Sequence, residues 1–175
     1  TIFDVLRALN DPTPPLIGGL LPIPDSALIP GSGGAISMTT PLLTVSNGAA
    51  ISSSTNWDGN AGAVVGNVRS LVVESGGEIR SRAGLLDNTG QGFAIGNAGS
   101  LSLNATDSIR VSGGSISTTT IGDGNAGNIS LSANQVSIQN GSVTSASGQT
   151  ANGQLFVGAG NAGQITVATP TLTMG

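Results

Sequence analysis

The stretch Gly124–Ser147, GNAGNISLSANQVSIQNGSVTSAS, is one unit of a repeat, and its reading decides the fold. It opens on the phrase Gly-Asn-Ala-Gly, which also stands at Gly59–Gly62, Gly96–Gly99 and Gly160–Gly163. A degenerate copy, Gly-Ser-Gly-Gly, occupies Gly31–Gly34. The first glycines lie 28, 37, 28 and 36 residues apart, a unit of 28 with nine or eight extra residues in alternate units. A fixed period of this size marks a repeat architecture.

Inside the quoted stretch, apolar residues alternate with small polar ones. Ile129/Leu131 come first and Val136/Ile138 second; after the turn Asn140-Gly141, Val143 opens a Ser/Thr-rich run. The first pair recurs as Ile36/Met38, Leu101/Leu103 and Ile165/Val167, with a blurred version at Val64/Val65. The second recurs as Leu43/Val45, Leu71/Val73, Ile109/Val111 and Leu172/Met174. Turns recur at Asn47-Gly48, Gly76-Gly77 and Gly113-Gly114, and Ile51, Ile79 and Ile116 open the run that follows. Short runs of period 2 bounded by Gly and Asn mean strands. Each unit is expected to hold three short strands and two Gly-rich corners.

Strands this short bury their apolar side only if successive units stack, each hydrogen-bonded to the next. The expected fold is all-β: a parallel β-helix, or solenoid, of about four and a half rungs, with neighbouring coils about 4.8 Å apart. In register, Asn60, Asn97, Asn125 and Asn161 lie over one another. Their side-chain amides can form a ladder, and Asn tolerates left-handed backbone angles. The corner glycines Gly48, Gly77, Gly114 and Gly141 are expected to supply positive φ and close packing.

With those residues in view, Gly124–Ser147 resembles the repeats of filamentous-haemagglutinin-type exoproteins, the large bacterial haemagglutination-activity proteins exported by two-partner secretion. The resemblance covers residues 31–175. It implies a right-handed β-helix, an extracellular or bacterial cell-surface location, and adhesive or structural work. It implies no catalytic residue.

Composition narrows the chemistry. Charged residues are 8% and hydrophobic residues 38% of the chain, with 28 Gly. Disordered chains are usually the reverse, highly charged and poor in apolar residues. There is no Cys and no His, which removes thiolate nucleophiles, the usual zinc ligands and Ser-His arrangements. No catalytic, cofactor or metal residue is expected. Net charge is −4, and a basic stripe for nucleic acid is absent. No apolar run is long enough for a transmembrane helix. Residue 1 is Thr, so the chain reads as a processed or excised form.

Residues 1–30 are of a different kind. Ile2, Phe3, Val5, Leu6 and Leu9 form one apolar side of a short helix or an extended arm. Pro12, Pro14, Pro15, Pro22, Pro24 and Pro30 then exclude a helix, while Leu16, Ile17 and their neighbours are too apolar for a solvated linker. This Pro-rich strap is expected to lie in a groove. Residues 31–95 and 96–159 read as a two-rung duplication, and 160–175 as a half rung. The long third corners of the duplication each carry a phenylalanine, Phe93 and Phe156, expected to fold inward.

The charges are few. Arg69 is expected to pair with Asp107 across adjacent coils, and Glu78, Arg80 and Arg82 to line one outward face. Asp58 and Asp123 precede phrases as in calcium-binding repeats, but without the nonapeptide that builds such sites. Ser117–Thr120 suggests a Thr ladder, which Arg80 and Arg82 interrupt. Two functions follow from different classes. One is a structural or adhesive subunit, a head-to-tail homopolymer with carbohydrate or a cell-surface receptor as further partners. In it Ile2, Phe3, Val5, Leu6, Leu9, Leu16 and Ile17 of one copy would meet Leu172 and Met174 of the next. The alternative is a carbohydrate-active β-helix, with Glu74, Glu78 and Asp107 as its carboxylates, or an excised fragment of a large adhesin.

Overall fold

The computed structural model describes residues 31–55, 59–84, 96–151, 154–156 and 159–175. The readings of residues 1–30, Asp58 and Phe93, and of the Phe156 side chain, lie outside this description. Among the described residues every regular element is a strand. They are β1 (Ile36–Val45), β2 (Ala50–Thr55), β3 (Val64–Glu74), β4 (Glu78–Ala83), β5 (Leu101–Ser112), β6 (Ser115–Thr120), β7 (Ile129–Ser132), β8 (Gln135–Gln139), β9 (Ser142–Ser147), β10 (Gln149–Ala151), β11 (Gln154–Phe156), β12 (Ile165–Ala168) and β13 (Thr171–Met174).

Strands pair with their counterparts in the next repeat, not with their sequence neighbours. The larger sheet runs β1-β3-β5-β7-β12, with β8 beside β5 and β13 beside β8; the smaller runs β2-β4-β6-β9. Every pairing in both is parallel. The register follows the repeat: Ile36 pairs Val64, Val64 pairs Leu101, and Leu101 pairs Ile129. In the smaller sheet Ile51, Ile79, Ile116 and Val143 stack in one row. The exception is β10 with β11, an antiparallel pair built from the long corner after β9. No helix among the described residues is long and apolar enough to cross a membrane.

One core joins the two sheets. Leu71, Leu101, Leu103, Ile109, Ile129, Leu131 and Val136 from the larger sheet cluster with Ile79 and Ile116 from the smaller, all at most 1% exposed. Burying one such side chain is worth about 1.5–3 kcal/mol, so the alternating rows dominate stability. The alternation is strict in β6, where Ile116, Thr118 and Thr120 are buried and Ser115, Ser117 and Thr119 are half-buried.

Four details differ from the sequence reading. The first and second apolar pairs share one continuous strand in β1, β3 and β5 and separate only in later repeats, as β7 with β8 and β12 with β13. Ala133-Asn134 and Thr169-Pro170 break those later strands, whereas Pro41 sits within β1, the edge strand among the described residues, and the pairing with β3 skips it, passing from Thr40 with Val68 to Leu42 with Ser70. Second, Val65 does not face inward: Val64 and Gly66 do, and Gly66 stands in the row of Met38 and Leu103. The Leu103 Cδ2 atom lies 3.1 Å from where a Cβ on Gly66 would be, so Leu103 fills the vacant space.

Third, of the corner glycines expected at positive φ, only Gly48 has it. Positive φ occurs at Asn47, Ser75 and Asn140 and at Gly48, Gly76 and Gly113, but not at Gly77, Gly114, Gly141 or any described phrase residue. By register Gly48 lies over Gly76, and Ala49, not a glycine, lies over Gly77. The close packing expected of Gly114 and Gly141 is present: a Cβ there would sit 2.8 Å and 2.7 Å from the Cγ1 atoms of Val73 and Val111. Fourth, Arg69 and Asp107 do not pair. One extra residue in β5 shifts the register between Val68 and Ser70. Asp107 thereby reaches Ser70, whose hydroxyl donates to it at 3.4 Å.

Candidate functional site

The Gly-Asn-Ala-Gly phrase is a backbone hydrogen-bonding device, and each residue has its own task. The Asn N–H of one repeat donates to the Asn side-chain oxygen of the repeat before: Asn97 to Asn60 at 2.8 Å, Asn125 to Asn97 at 2.7 Å, and Asn161 to Asn125 at 2.8 Å. The Asn97 and Asn161 side-chain amides add bonds of 3.3 Å to the same oxygens. The Ala N–H points the other way, to the Asn carbonyl of the following repeat, as from Ala61 to Asn97 and from Ala98 to Asn125, both 2.9 Å. The glycines let the phrases touch. A Cβ on Gly59, Gly62, Gly99, Gly124, Gly127, Gly160 or Gly163 would overlap a carbonyl group of the preceding repeat.

The last Gly N–H is served by a hydroxyl from across the core, which the sequence reading missed. Gly62 donates to Ser53, Gly99 to Ser81 and Gly163 to Ser145, at 2.9, 2.8 and 2.7 Å. The same hydroxyls donate to the Gly carbonyl of their own repeat, Gly34, Gly62 and Gly127, at 2.8, 3.0 and 2.9 Å. Thr118 departs from the pattern and donates to Gly127 of the following repeat, at 2.7 Å. Thr55 and Thr120 reach the first glycine of the next phrase, Gly59 and Gly124, at 2.6 and 2.7 Å. Ser81, Thr118 and Thr120 are fully buried. Half of the Ser117–Thr120 run therefore faces inward, and no continuous Thr surface forms. A signal was present in the sequence: each of these residues lies two or four after Ile51, Ile79, Ile116 or Val143 and so shares its inward face.

The outward face of β4 carries Glu78, Arg80 and Arg82. Arg80 pairs with Glu78 at 2.6 Å, and its Nε–H donates to the Ser52 hydroxyl at 3.2 Å. Arg82 lies between Ser54 and Thr119 in register. Its Nε is buried without a hydrogen-bond partner. Burial first, and the neighbouring Arg80 charge second, push the Arg82 guanidinium below its ordinary range. A shallow groove of about 340 Å³ runs over Glu78, Arg80, Arg82, Ser117, Thr119 and Thr144.

The described carboxylates do not converge. Glu78 lines the groove; Glu74 ends β3, Asp107 lies in β5 of the larger sheet, and Asp123 is exposed beyond β6. Among the described residues no group of three or more metal-ligating side chains comes together. At the far edge of the larger sheet, Ile165, Leu172 and Met174 are 42%, 49% and 70% exposed. They continue the rows of Ile129, Val136 and Ile138.

No protein-family model matches the chain, and no curated protein or solved structure is significantly similar to it.

Proposed function

We propose that the chain is a right-handed parallel β-solenoid that works as an extracellular structural or adhesive subunit and stacks end to end with copies of itself. The reading rests on the resemblance of its repeats to those of filamentous-haemagglutinin-type exoproteins and on one observation at the first repeat. Gly59, Gly62 and their later counterparts are crowded by the preceding repeat, so glycine is sterically required there. Gly31 and Gly34 keep glycine although no described atom lies within 4 Å of a Cβ at either position. A backbone arriving on that side, in the manner of a preceding repeat, explains both. The opposite end offers such a backbone in β12 and β13, with its apolar row half exposed. A heterologous contact between unlike ends grows into a fibre when its rotation does not close into a ring.

The test is the assembly state of the intact chain, by sedimentation and negative-stain microscopy. Filaments are expected for the native chain. Gly34→Val should abolish them and leave a folded monomer, since the added side chain meets no described atom of the subunit. Native chain that stays monomeric at high concentration, or filaments untouched by Gly34→Val, overturns the stacking.

A further inference from the structure

We infer that the groove centred on Arg82 is a binding site for the oxyanion groups of an acidic polysaccharide. The inference goes beyond the stacking proposed above and does not depend on it, because the groove lies within one subunit. Arg80 is already committed: Glu78 occupies its Nη1, and Ser52 accepts from its Nε. Arg82 is different. Its strand neighbours are Ser54 and Thr119, and among the described residues no carboxylate lies within ion-pair distance of it. Its Nε–H has no partner although it is buried. The Nε itself is closed to solvent, so an acceptor would meet the part of the guanidinium that lines the groove, whose charge no described carboxylate balances. The low dielectric that penalises the empty site also strengthens a bound ion pair.

The shape and lining say what kind of acceptor fits. A guanidinium presents a planar fork that matches carboxylate or sulfate. From Arg82 the groove continues over Ser117, Thr119 and Thr144, whose hydroxyls lie in rows set by the strand spacing. A lone inorganic anion would meet Arg82 and leave those rows unused. A sugar polymer carrying regular acidic groups would use both, placing an oxyanion at Arg82 and its hydroxyls along the rows. Groove charges of Arg80, Arg82 and Glu78 sum to +1 on a chain of net charge −4, so the attraction is local. The open groove suits an extended chain that passes across the subunit, not an enclosed small molecule.

The experiment measures binding of the intact chain to immobilised polygalacturonate, dextran sulfate and neutral dextran at low salt. Arg82→Gln is the principal variant and Arg69→Gln, exposed on the larger sheet, is the control; circular dichroism verifies folding of both. Retention on one or both acidic polymers but not on dextran is expected, with Arg82→Gln weakening it about tenfold, as loss of a charge-assisted bond would. Arg69→Gln should change it less than about twofold. No retention on either acidic polymer overturns the site. So does an equal loss in both variants, which would mean diffuse attraction. Inorganic sulfate displacing the polymer at equal concentration of anionic groups would also overturn it, because the groove would then hold only a free ion.

Discussion

On the inner face of the larger sheet, Leu101, Leu103, Ile129 and Leu131 meet the core with hydrocarbon. Across from them, the smaller sheet presents Ile79 and Ile116 and then, two residues on, the hydroxyls of Ser81 and Thr118, equally buried. The two inner faces do different work. Hydrocarbon burial is strong and non-directional, so it rewards stacking without choosing one partner over another. A hydroxyl that accepts from Gly99 and donates to Gly62 is satisfied in one arrangement only. The apolar rows supply the stability, and the hydroxyl row fixes which phrase sits over which. A slip of one residue would turn each row to the opposite face.

The largest effect should come from breaking the hydrocarbon side. Ile129 is 1% exposed, and Ile129→Asp buries a charge among Leu101, Leu131 and their neighbours. A loss of several kcal/mol is expected in chemical denaturation. Ser130→Asp, one residue away on the outward face of β7, should cost less than about 0.5 kcal/mol. Similar losses at the two positions would show that β7 does not present one face to the core.

The hydroxyl side should respond less, but more than any surface position. Ser81→Ala removes the acceptor for the Gly99 N–H and the donor for the Gly62 carbonyl at once. Leaving buried polar groups unpaired costs about 1–3 kcal/mol. Ser117→Ala, in the same sheet but facing outward, is the matched comparison and should lie near zero. If Ser81→Ala costs no more than Ser117→Ala, the hydroxyl row does not set the stacking.

What the sequence made legible follows from this division of labour. The period aligned the phrases, because Asn60, Asn97, Asn125 and Asn161 stand at fixed distances from apolar pairs that must share a face. The parallel sheets followed, since units of 28 residues can pair only with their successors. The hydroxyl row was hidden because Ser and Thr are usually exposed; only the strict two-residue step from Ile79 to Ser81 marks it as inward. That crowding alone, and not positive φ, requires the phrase glycines was hidden for another reason. Positive φ is a property of one residue and its turn, whereas the crowding at Gly62 or Gly127 comes from another repeat tens of residues away. The failed Arg69–Asp107 pair shows a different limit: the extra residue of β5 can be counted, eight residues from Leu101 to Ile109 against seven from Val64 to Leu71, but how the irregularity turns the side chains cannot.

The smallest effect belongs to the charged outer face, and it sharpens the comparison from the other direction. Arg80 and Glu78 approach to 2.6 Å, the one ion pair among the described residues, yet each side chain is 39% exposed. Exposed pairs contribute about 0–1 kcal/mol, because water solvates each charge well when it is alone. Glu78→Gln removes the charge and keeps an amide oxygen able to accept from Arg80, whose Nε–H remains bonded to Ser52. The variant should therefore unfold within about 0.5 kcal/mol of the native chain, and raising the salt concentration should narrow even that gap. A loss as large as that of Ser81→Ala would mean that the outer face of β4 holds the repeats together alongside the buried hydroxyls. The contrast between an organising interior and a solvated exterior would then fail at its most exposed point.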